Sequence, residues 1–407
     1  MNNIRNTFCI GIALFVAITG CNSFGSTEEV KSIITHTKAQ FVPDTRVDRF
    51  KVTARSSGSG LVLAGETTLP EAKRALLDSL SAKDIAFTDS IAVLPAADLA
   101  GETLGLVNNS VGNIRSEPGH PAQLVTQALL GMPLKVFKKD GGWYLVQTPD
   151  DYLGWIDGGG LVRMNKVQYA KWKNADKLIY LETYGFSYQT PLNSARKVTD
   201  LVAGSILKLE GRAGGFYEVA YPDGRTGYIA SDEAQPLDEW ARSTEASQAS
   251  LVQTAKTMMG APYLWGGTST KSIDCSGFTK TIYLMNGQVI PRDASQQVNA
   301  GVLVDSQKNW DKLRPGDLLF FGRAAQGERP RRVSHVGMWI GDDQFIHSAG
   351  RVHISSVDSM APNFDPGNVS RYLEARRYLN NWEGNIIQTA GMYEVEEDKP
   401  EDVQKSE

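Results

Sequence analysis

The pattern of hydrophobic and polar residues repeats itself in the middle of the chain. Residues Gly131 to Ile156 and Gly204 to Ile229 align without a gap at an offset of 73 positions. In both segments, short alternating runs are separated by glycine, aspartate and proline, and each segment ends in glycine, an aromatic residue and isoleucine. Alternation with period two, broken by turn residues, predicts short antiparallel strands. We therefore expect two small β-barrels in tandem, over residues 106–165 and 166–238.

Before the repeat, the pattern predicts a small α/β region. Val47 to Ala54 and Leu61 to Ala64 are typical of strands, and Pro70 to Ala82 carries apolar residues at helical spacing with proline in its first turn. Residues 22–45 are polar and have no clear period, so we expect a tether there. Residues 22–105 thus comprise the tether and this small α/β region, and no chemistry can be assigned to residues 46–105.

After the repeat, the period becomes that of helices. Thr244 to Met259 predicts one helix, and Phe278, Ile282 and Met285, at i, i+4 and i+7, predict a second that begins just before Phe278. The last segment, residues 386–407, ends in a run rich in acidic residues. Such a composition predicts a disordered tail.

The first 21 residues differ from the rest of the chain. Arg5 precedes an apolar run, Phe8 to Ile18, which suits the core of a signal peptide and is too short to span a bilayer. The run leads into Ile18-Thr19-Gly20-Cys21, which resembles a bacterial lipoprotein box whose cysteine is lipidated after cleavage. We expect an exported lipoprotein of the periplasm or cell envelope, attached to the membrane only through Cys21. A plain secretory signal is the alternative.

Length and charge narrow the function classes. A chain of 407 residues is long enough for several domains, and 41% hydrophobic with 22% charged residues is ordinary for a globular protein. The formal net charge of −4 gives no reason to expect a nucleic-acid partner. We expect a monomer.

Cys275 is the candidate nucleophile. The other two cysteines, Cys9 and Cys21, lie in the first 21 residues, so Cys275 has no obvious disulfide partner. It lies at the predicted start of a helix, where unpaired N–H groups and the positive end of the helix dipole favour a thiolate. The N–H groups around Cys275 and Ser276 could also stabilise an oxyanion.

A thiol nucleophile needs a base and a group that orients the base. His335 lies in the alternating segment Val333 to Gly341, and His347 lies in Phe345 to Ala349 after a short turn, so the two segments predict a hairpin. The two histidines share a face only if the loop has an odd number of residues or a bulge intervenes. Given that condition, His335 takes the proton and His347 fixes its tautomer.

Two other uses of these residues remain open. The histidines could be packed core residues, or one cysteine and two histidines could bind zinc, although no fourth ligand is apparent at short spacing. We expect no metal and no cofactor. His353 has no motif around it and is expected to be an ordinary surface residue.

Six segments, taken in order, resemble the NlpC-type cysteine peptidases, which have a papain-like α+β fold. They are Tyr263-Leu264-Trp265-Gly266-Gly267, Asp274-Cys275-Ser276-Gly277-Phe278, Pro291-Arg292-Asp293, Leu313-Arg314-Pro315-Gly316-Asp317-Leu318, Ser334-His335-Val336-Gly337-Met338 and Phe345-Ile346-His347. We assign residues 239–385 to this domain, and the repeated units resemble bacterial SH3-like domains. The resemblance implies that Cys275, His335 and His347 are the catalytic set.

The resemblance also implies further site residues. It places the hydroxyl of Tyr263 near the oxyanion, with Ser276 in support. In members preceded by SH3-like domains, an aspartate matching Asp293 binds the free amine of an N-terminal L-alanine. A glutamate and a tyrosine of the first SH3-like domain close the groove, and Glu117 and Tyr152 are the matches here.

Two charged neighbours complete the expected site. We count Asp274 and Arg292 among the substrate-binding residues, although Arg292 could equally be structural or pair with a peptide carboxylate. The family often has serine after the amine-binding aspartate, whereas this chain has Ala294, so one hydrogen bond to the substrate is in doubt.

The implied reaction is hydrolysis, through a thioester, of the γ-D-glutamyl–diamino acid bond of cell-wall peptides. An acidic pocket for the amine restricts cleavage to L-Ala-γ-D-Glu-diamino acid peptides with a free N-terminus. The alternatives are an endopeptidase of intact peptidoglycan, a wall-binding scaffold with weak catalysis, and an acyltransferase or amidase on the same fold.

Overall fold

Two units make up the part of the chain that the computed structural model describes, which is residues 27–57, 60–381 and 383–393. The smaller unit comprises residues up to Pro43 together with Arg49–Val93, and the larger comprises Asp44–Asp48 and the chain from Leu94 onwards. The predicted leader with Cys21 and the acidic run after Tyr393 lie outside the described residues. Among the described helices, none has both the length and the apolar character to cross a membrane.

The smaller unit is a three-stranded sheet packed against two helices. Strands β1 and β2 are antiparallel, and β3 runs parallel to β2 after a helical crossover. The elements are α1 (Thr27–Phe41), β1 (Phe50–Ser57), β2 (Gly60–Thr67), α2 (Pro70–Ser81) and β3 (Phe87–Val93). Helix α2 begins at Pro70. Proline has no backbone N–H, and an N–H in the first turn would have no partner within the helix, so no helical hydrogen bond is lost there. This is the α/β region that the sequence predicts.

Helix α1 corrects the predicted tether at residues 22–45. Its inner face carries Val30, Ile33, Ile34 and Phe41, which belong to the core of the smaller unit. These residues recur at helical spacing, but runs of two to six mostly polar residues lie between them, so the segment as a whole is not hydrophobic enough to stand out. The packing of α1, rather than its composition, decides its structure.

Seven strands after the small unit form an antiparallel sheet in the order β10-β4-β7-β8-β9-β5-β6. They are β4 (Leu104–Val107), β5 (Val111–Arg115), β6 (Leu124–Leu129), β7 (Pro133–Asp140), β8 (Trp143–Gln147), β9 (Leu153–Asp157) and β10 (Leu161–Met164), followed by helix α3 (Lys166–Lys173). We call this the first repeat sheet.

The second repeat sheet has the same order of strands, β17-β11-β14-β15-β16-β12-β13. It contains β11 (Lys177–Tyr180), β12 (Gly185–Tyr188), β13 (Lys197–Leu201), β14 (Ile206–Ala213), β15 (Phe216–Ala220), β16 (Thr226–Ala230) and β17 (Ala234–Pro236), followed by α4 (Leu237–Ser243). Equivalent strands start 73 residues apart, as at Pro133 and Ile206. Gly141 and Gly214, in equivalent hairpin turns, both have a positive φ, which explains the glycine pairs in the two sequence copies.

The C-terminal part of the larger unit is a six-stranded antiparallel sheet, order β21-β26-β22-β23-β24-β25, with helix α6 packed on β23 and β24. Its helices are α5 (Gln248–Thr257), α6 (Cys275–Leu284), α7 (Ala294–Gln297) and α8 (Pro366–Ser370). Its strands are β18 (Thr268–Ser269), β19 (Ser272–Ile273), β20 (Gln288–Val289), β21 (Val302–Asp305), β22 (Leu318–Arg323), β23 (Arg332–Gly341), β24 (Gln344–Ala349), β25 (Arg351–Ser356), β26 (Tyr372–Arg377) and β27 (Ile387–Gln388). Phe278 and Ile282 of α6 pack in a fully buried core with Val336 of β23.

The first repeat sheet is bound tightly to this C-terminal part. Gln127 of β6 exchanges three hydrogen bonds with Thr268 of β18, at 2.8 to 3.1 Å. Gly266 has a φ of +81°, and a Cβ at that position would lie 2.4 Å from the carbonyl oxygen of Leu124, so only glycine allows this approach. The surroundings of the start of α6 are therefore built from both parts of the larger unit.

A buried ion pair joins the same two parts. Lys280 of α6 places its Nζ 2.6 Å from a carboxylate oxygen of Asp150, and the two side chains are 8% and 1% exposed. Burial lowers the pKa of Lys280, and the charge of Asp150 opposes that shift. Breaking such a pair leaves a charge buried without a partner.

Replacing Lys280 with methionine should lower the free energy of unfolding by about 3–5 kcal/mol, because Asp150 stays buried without its cation. A urea titration followed by tryptophan fluorescence measures this. Lys271→Met is the matched control, since Lys271 pairs with Asp200 at a more exposed site where a pair contributes about 1 kcal/mol or less. Equal losses in the two variants would contradict the prediction.

Candidate active site

Helix α6 begins at Cys275 because Asp274 caps it. One carboxylate oxygen of Asp274 accepts the N–H of Gly277 at 2.7 Å, and the other accepts the N–H of Gly266 at 2.9 Å. An aspartate at the N-cap satisfies a backbone donor that the first turn leaves unpaired. Cys275 is therefore the first residue of the helix, as the sequence predicts, and it is buried at 8% exposure.

A bulge brings the two histidines of the β23–β24 hairpin to one face. Met338 pairs with Ile346, but the register shifts by one residue between Trp339 and Gly341. Continuing the inner register puts His347 opposite Gly337, where a Cβ would lie 3.1 Å from that of His347. Without the bulge, the two-residue turn would have placed the rings on opposite faces.

His335 and His347 are directly hydrogen-bonded. The Nε2 of His335 lies 2.8 Å from the Nδ1 of His347, and the Nε2 of His347 lies 3.0 Å from the hydroxyl oxygen of Ser355. Because Nε2 of His335 is engaged, its Nδ1 is the atom left to accept a proton. Both ring nitrogens of His347 are engaged, by His335 and by Ser355, so His347 has none left for a zinc ion and the pair does not fit the zinc alternative.

Ser355 is a site residue that the sequence analysis missed. It lies on β25, two residues after His353, which pairs with His347 across the sheet. If the serine oxygen accepts the Nε2–H of His347, then Nδ1 of His347 is an acceptor and His335 must hold its proton on Nε2. Ser355 thus decides the tautomers of both rings.

His353 lies closer to the site than the sequence suggests. Its ring centroid is 4.4 Å from that of His347, and its Nδ1–H donates to the carbonyl oxygen of Arg351 at 2.9 Å. Its ring is partly buried rather than an ordinary surface group. The alternating pattern of β25 indicates that His353 lies beside His347 only when the register of the two strands is known.

Backbone N–H groups and a phenol surround the thiol. Burial and then the charge of Asp274 raise the pKa of the Cys275 thiol, and hydrogen bonds from the N–H groups of Val336, next to His335, and of Ser276 to its charged form offset part of that rise. Tyr263 is half-buried. Burial, and then the charge of the nearby Cys275, raise the pKa of its phenol. These groups lie where an oxyanion could be stabilised, and Val336 was not anticipated.

Asp274 and Arg292 bind each other inside the protein. The guanidinium donates to both oxygens of Asp274 at 2.6 and 3.1 Å, to the hydroxyl of Ser276 at 2.9 Å and to that of Thr126 at 3.1 Å. Arg292 is 1% exposed and Asp274 is 6% exposed. This burial does not fit the expectation that they bind substrate; they fix the start of α6 and attach it to the first repeat sheet.

Asp293 of the peptidase domain and Tyr152 of the first repeat sheet are directly hydrogen-bonded. The Tyr152 hydroxyl donates to a carboxylate oxygen of Asp293 at 3.0 Å, and the guanidinium of Arg46 donates to the same oxygen at 2.7 Å. Arg46 was not anticipated, because nothing in a polar segment far from Asp293 signals this contact. Glu117 lies in the exposed loop between β5 and β6, where its carbonyl oxygen accepts the N–H of Gly119.

Comparison with known proteins identifies the family of this chain. The model of the NlpC/P60 family matches residues 260–377, and that of the bacterial dipeptidyl-peptidase SH3 domain matches residues 114–161. The chain is 32% identical over 265 residues to a γ-D-glutamyl-L-lysine dipeptidyl-peptidase from Bacillus cereus, an alignment that covers 63% of this chain and 76% of that protein. The chain belongs to the NlpC/P60 family.

Other relatives and one solved structure are consistent with membership of the NlpC/P60 family. The γ-D-glutamyl-L-lysine dipeptidyl-peptidase of Bacillus subtilis is 30% identical over 234 residues, or 55% of this chain and 71% of that protein. The crystal structure of an NlpC/P60 family protein from Bacillus cereus superposes with a TM-score of 0.58 at 27% identity, covering 68% of this chain and 99% of that one. The protein is a cysteine peptidase with the α+β fold expected from its motifs.

The electrostatics of this NlpC/P60 site differ from the expected thiolate. Burial and then the charge of Asp274 raise the pKa of the Cys275 thiol to about 12. Burial is also the main cause that lowers the pKa of His335 to about 4 and that of His347 to about 2. All three groups are therefore neutral near pH 7, because desolvation outweighs the effect of the helix start. The thiol proton then moves to His335 as the nucleophile attacks.

A neutral resting thiol predicts how Cys275 reacts with iodoacetamide. Only the thiolate reacts, and it becomes more abundant as the pH rises towards the raised pKa. The alkylation rate of Cys275, followed by mass spectrometry of its peptide, should keep rising beyond pH 9, whereas N-acetylcysteine amide levels off after its pKa of about 8.5. An alkylation rate of Cys275 that stops rising below pH 7 would contradict a neutral thiol beside a neutral His335.

Ser355→Ala should lower kcat for peptide hydrolysis roughly tenfold, about 1.4 kcal/mol in the barrier, with KM within about twofold. The reason is that His347 and then His335 lose the group that fixes their tautomers. Ser348→Ala is the control, since Ser348 is also buried and donates at 2.8 Å to the carbonyl oxygen of Ile273, away from the imidazoles. Equal kcat values in the two variants would count against this positioning role.

Proposed function

We propose that this protein hydrolyses the γ-D-glutamyl–diamino acid bond of cell-wall peptides that begin with a free L-alanine. The observation that carries the proposal is the hydrogen bond between Tyr152 of the first repeat sheet and Asp293 of the peptidase domain. It holds a partly exposed carboxylate in the same domain as Cys275, directly after Arg292, which binds the Asp274 that precedes Cys275. A peptidase that releases N-terminal dipeptides needs such a group, because its substrate carries an ammonium two residues before the scissile bond.

The names of the relatives support the same substrate class. Two of them are γ-D-glutamyl-L-lysine dipeptidyl-peptidases, and the protein from Lysinibacillus sphaericus, 28% identical over 261 residues, is named dipeptidyl-peptidase 6. In L-Ala-γ-D-Glu-diamino acid peptides, the released dipeptide is L-Ala-D-Glu. The diamino acid in this protein's substrate is either lysine or diaminopimelate.

The proposed reaction follows from the neutral site. As the sulfur of Cys275 attacks the γ-carbonyl carbon, its proton passes to Nδ1 of His335, and the oxyanion forms near the Ser276 N–H and the Tyr263 hydroxyl. The C–N bond then breaks, and His335 returns the proton to the leaving amine. Water attacks the thioester, gives a proton to His335, and the thiol leaves with that proton.

Charge gives the proposed preference for a free N-terminus. Asp293 is 28% exposed, so a substrate can reach it, and Tyr152 holds its carboxylate in place. An ammonium would make a charge-assisted hydrogen bond there. An acylated stem, as in intact wall, offers no cation. Export as a lipoprotein anchored through Cys21, which would bring a monomeric enzyme to peptides in the cell envelope, is part of the same proposal.

One observation favours a second candidate, an endopeptidase of intact peptidoglycan. Arg46 already gives Asp293 a cation, so an uncharged N-terminus would not leave this carboxylate unpaired. The Bacillus subtilis probable peptidoglycan endopeptidase LytE is 36% identical to this chain, although over 136 residues, 33% of this chain and 36% of that protein.

Digestion of free and N-acetylated L-Ala-γ-D-Glu-diaminopimelate, read by mass spectrometry, distinguishes the two candidates. We expect kcat/KM to be about 100-fold higher for the free peptide, and Asp293→Asn to remove roughly 1.5–3 kcal/mol of that preference, the usual contribution of a hydrogen bond to a charged group. Cys275→Ala should cleave neither peptide.

The control is Asp223→Asn in the second repeat sheet, which alters an aspartate of similar exposure, 29%, that also pairs with an arginine. It should leave the preference unchanged. Equal cleavage of free and acetylated peptides by the native protein would reject the free-amine proposal and favour the endopeptidase.

A further inference from the structure

We propose that Arg46 is an internal occupant of the amine-binding site and that the ammonium of the substrate must displace it. This inference rests on the proposed function, since it concerns the site that recognises the free L-alanine. It makes Arg46 a residue that limits substrate affinity, in a segment with no catalytic motif.

The guanidinium of Arg46 uses the carboxylate that the substrate amine would need. Its Nη1 donates to Oδ2 of Asp293 at 2.7 Å and to the hydroxyl of Ser295 at 2.8 Å. The same Oδ2 accepts the Tyr152 hydroxyl at 3.0 Å. A guanidinium and an ammonium carry the same charge and seek the same oxygen, so the two cations compete for it.

The backbone around Arg46 is held on the first repeat sheet. The carbonyl oxygen of Arg46 accepts the N–H of Leu153 at 2.7 Å, and that of Val47 accepts the side-chain amide of Gln147 at 2.8 Å. Leu153 follows Tyr152 directly. The segment Asp44–Asp48 is therefore fixed beside the tyrosine, and only the side chain of Arg46 needs to move for the site to open.

Asp44 gives the displaced guanidinium a second carboxylate. It accepts Nε of Arg46 at 2.8 Å and Nη2 at 2.7 Å, and Gln296 also donates to it at 2.9 Å. The Arg46 side chain is 35% exposed. After leaving Asp293, Arg46 would keep its ion pair with Asp44 and its access to water. The exchange therefore costs Arg46 little free energy.

The free-energy cost of displacing Arg46 falls on Asp293, and it depends on the N-terminus of the ligand that enters. An ammonium replaces the departing positive charge, whereas an acylated N-terminus pushes Arg46 aside and leaves the carboxylate with the Tyr152 hydroxyl and the more distant guanidinium of Arg292, 3.9 Å from its other oxygen. Arg46 therefore weakens binding of every substrate but leaves the free-amine preference to Asp293. Removing the guanidinium should tighten the binding of amine ligands.

The test is calorimetric binding of L-Ala-γ-D-Glu and of its N-acetyl form to the full chain carrying Arg46→Gln, which keeps the backbone contacts of the segment. We expect the free dipeptide to bind about tenfold more tightly than to the native protein. KM for the free tripeptide should fall by a similar factor, with kcat within about twofold. Arg46→Ala should give the same result, and melting temperatures confirm that both variants are folded.

Arg225→Ala is the matched control, because Arg225 is also held by an aspartate two residues before it, at 2.7 Å, on the second repeat sheet. It should bind both dipeptides as the native protein does. If Arg46→Gln and Arg46→Ala bind the free dipeptide no more tightly, or more weakly, Arg46 is a brace or a substrate contact and the inference is wrong.

A different result identifies failure of the proposed function itself. If the native protein and both Arg46 variants bind free and acetylated dipeptides equally, the site does not recognise an amine. If the free dipeptide is preferred but Arg46 has no influence on its affinity, the amine site stands and only the role of Arg46 as occupant is overturned.

Discussion

The carboxylate of Asp274 is the point on which the geometry of the site depends. Its two oxygens accept the N–H groups of Gly277 and Gly266 and the guanidinium of Arg292, which also reaches Thr126 of the first repeat sheet. The first turn of α6, the glycine loop before it and the neighbouring sheet are thereby fixed to one buried charge. An unpaired carboxylate at this depth would be strongly destabilising, so none of these partners can be lost independently.

The position of the base depends on a single extra residue. Ile340 bulges out of the β23–β24 hairpin, and this shift puts the rings of His335 and His347 on the face that α6 covers. From there a chain of hydrogen bonds runs from His335 through His347 to Ser355. Three adjacent strands, β23, β24 and β25, thereby fix the orientation of the proton acceptor. Rigid strands hold such a chain of hydrogen bonds more accurately than a mobile loop would.

Local patterns in the sequence predicted most of the elements that depend on interactions between residues close in the chain. The spacing of apolar residues after Cys275 indicated the helix, the 73-residue offset indicated two equivalent sheets, and the motifs indicated the family. Ser355 and Arg46 could not be found in this way, because each reaches the site through contacts set by strand register or by packing between distant segments. The raised pKa of Cys275 could not be predicted for a related reason: its burial is a property of the folded chain.

The 73-residue repeat pairs every position of the first sheet with one in the second. Tyr152 corresponds to Arg225, and Asp150, buried against Lys280, corresponds to the partly exposed Asp223. In the first copy these positions contact Asp293 and Lys280 of the peptidase part, whereas in the second copy Asp223 and Arg225 bind each other and Asn108 of the first sheet. One pair of scaffold positions thus joins a barrel-like module to the catalytic part in one copy and joins the two copies to each other in the next.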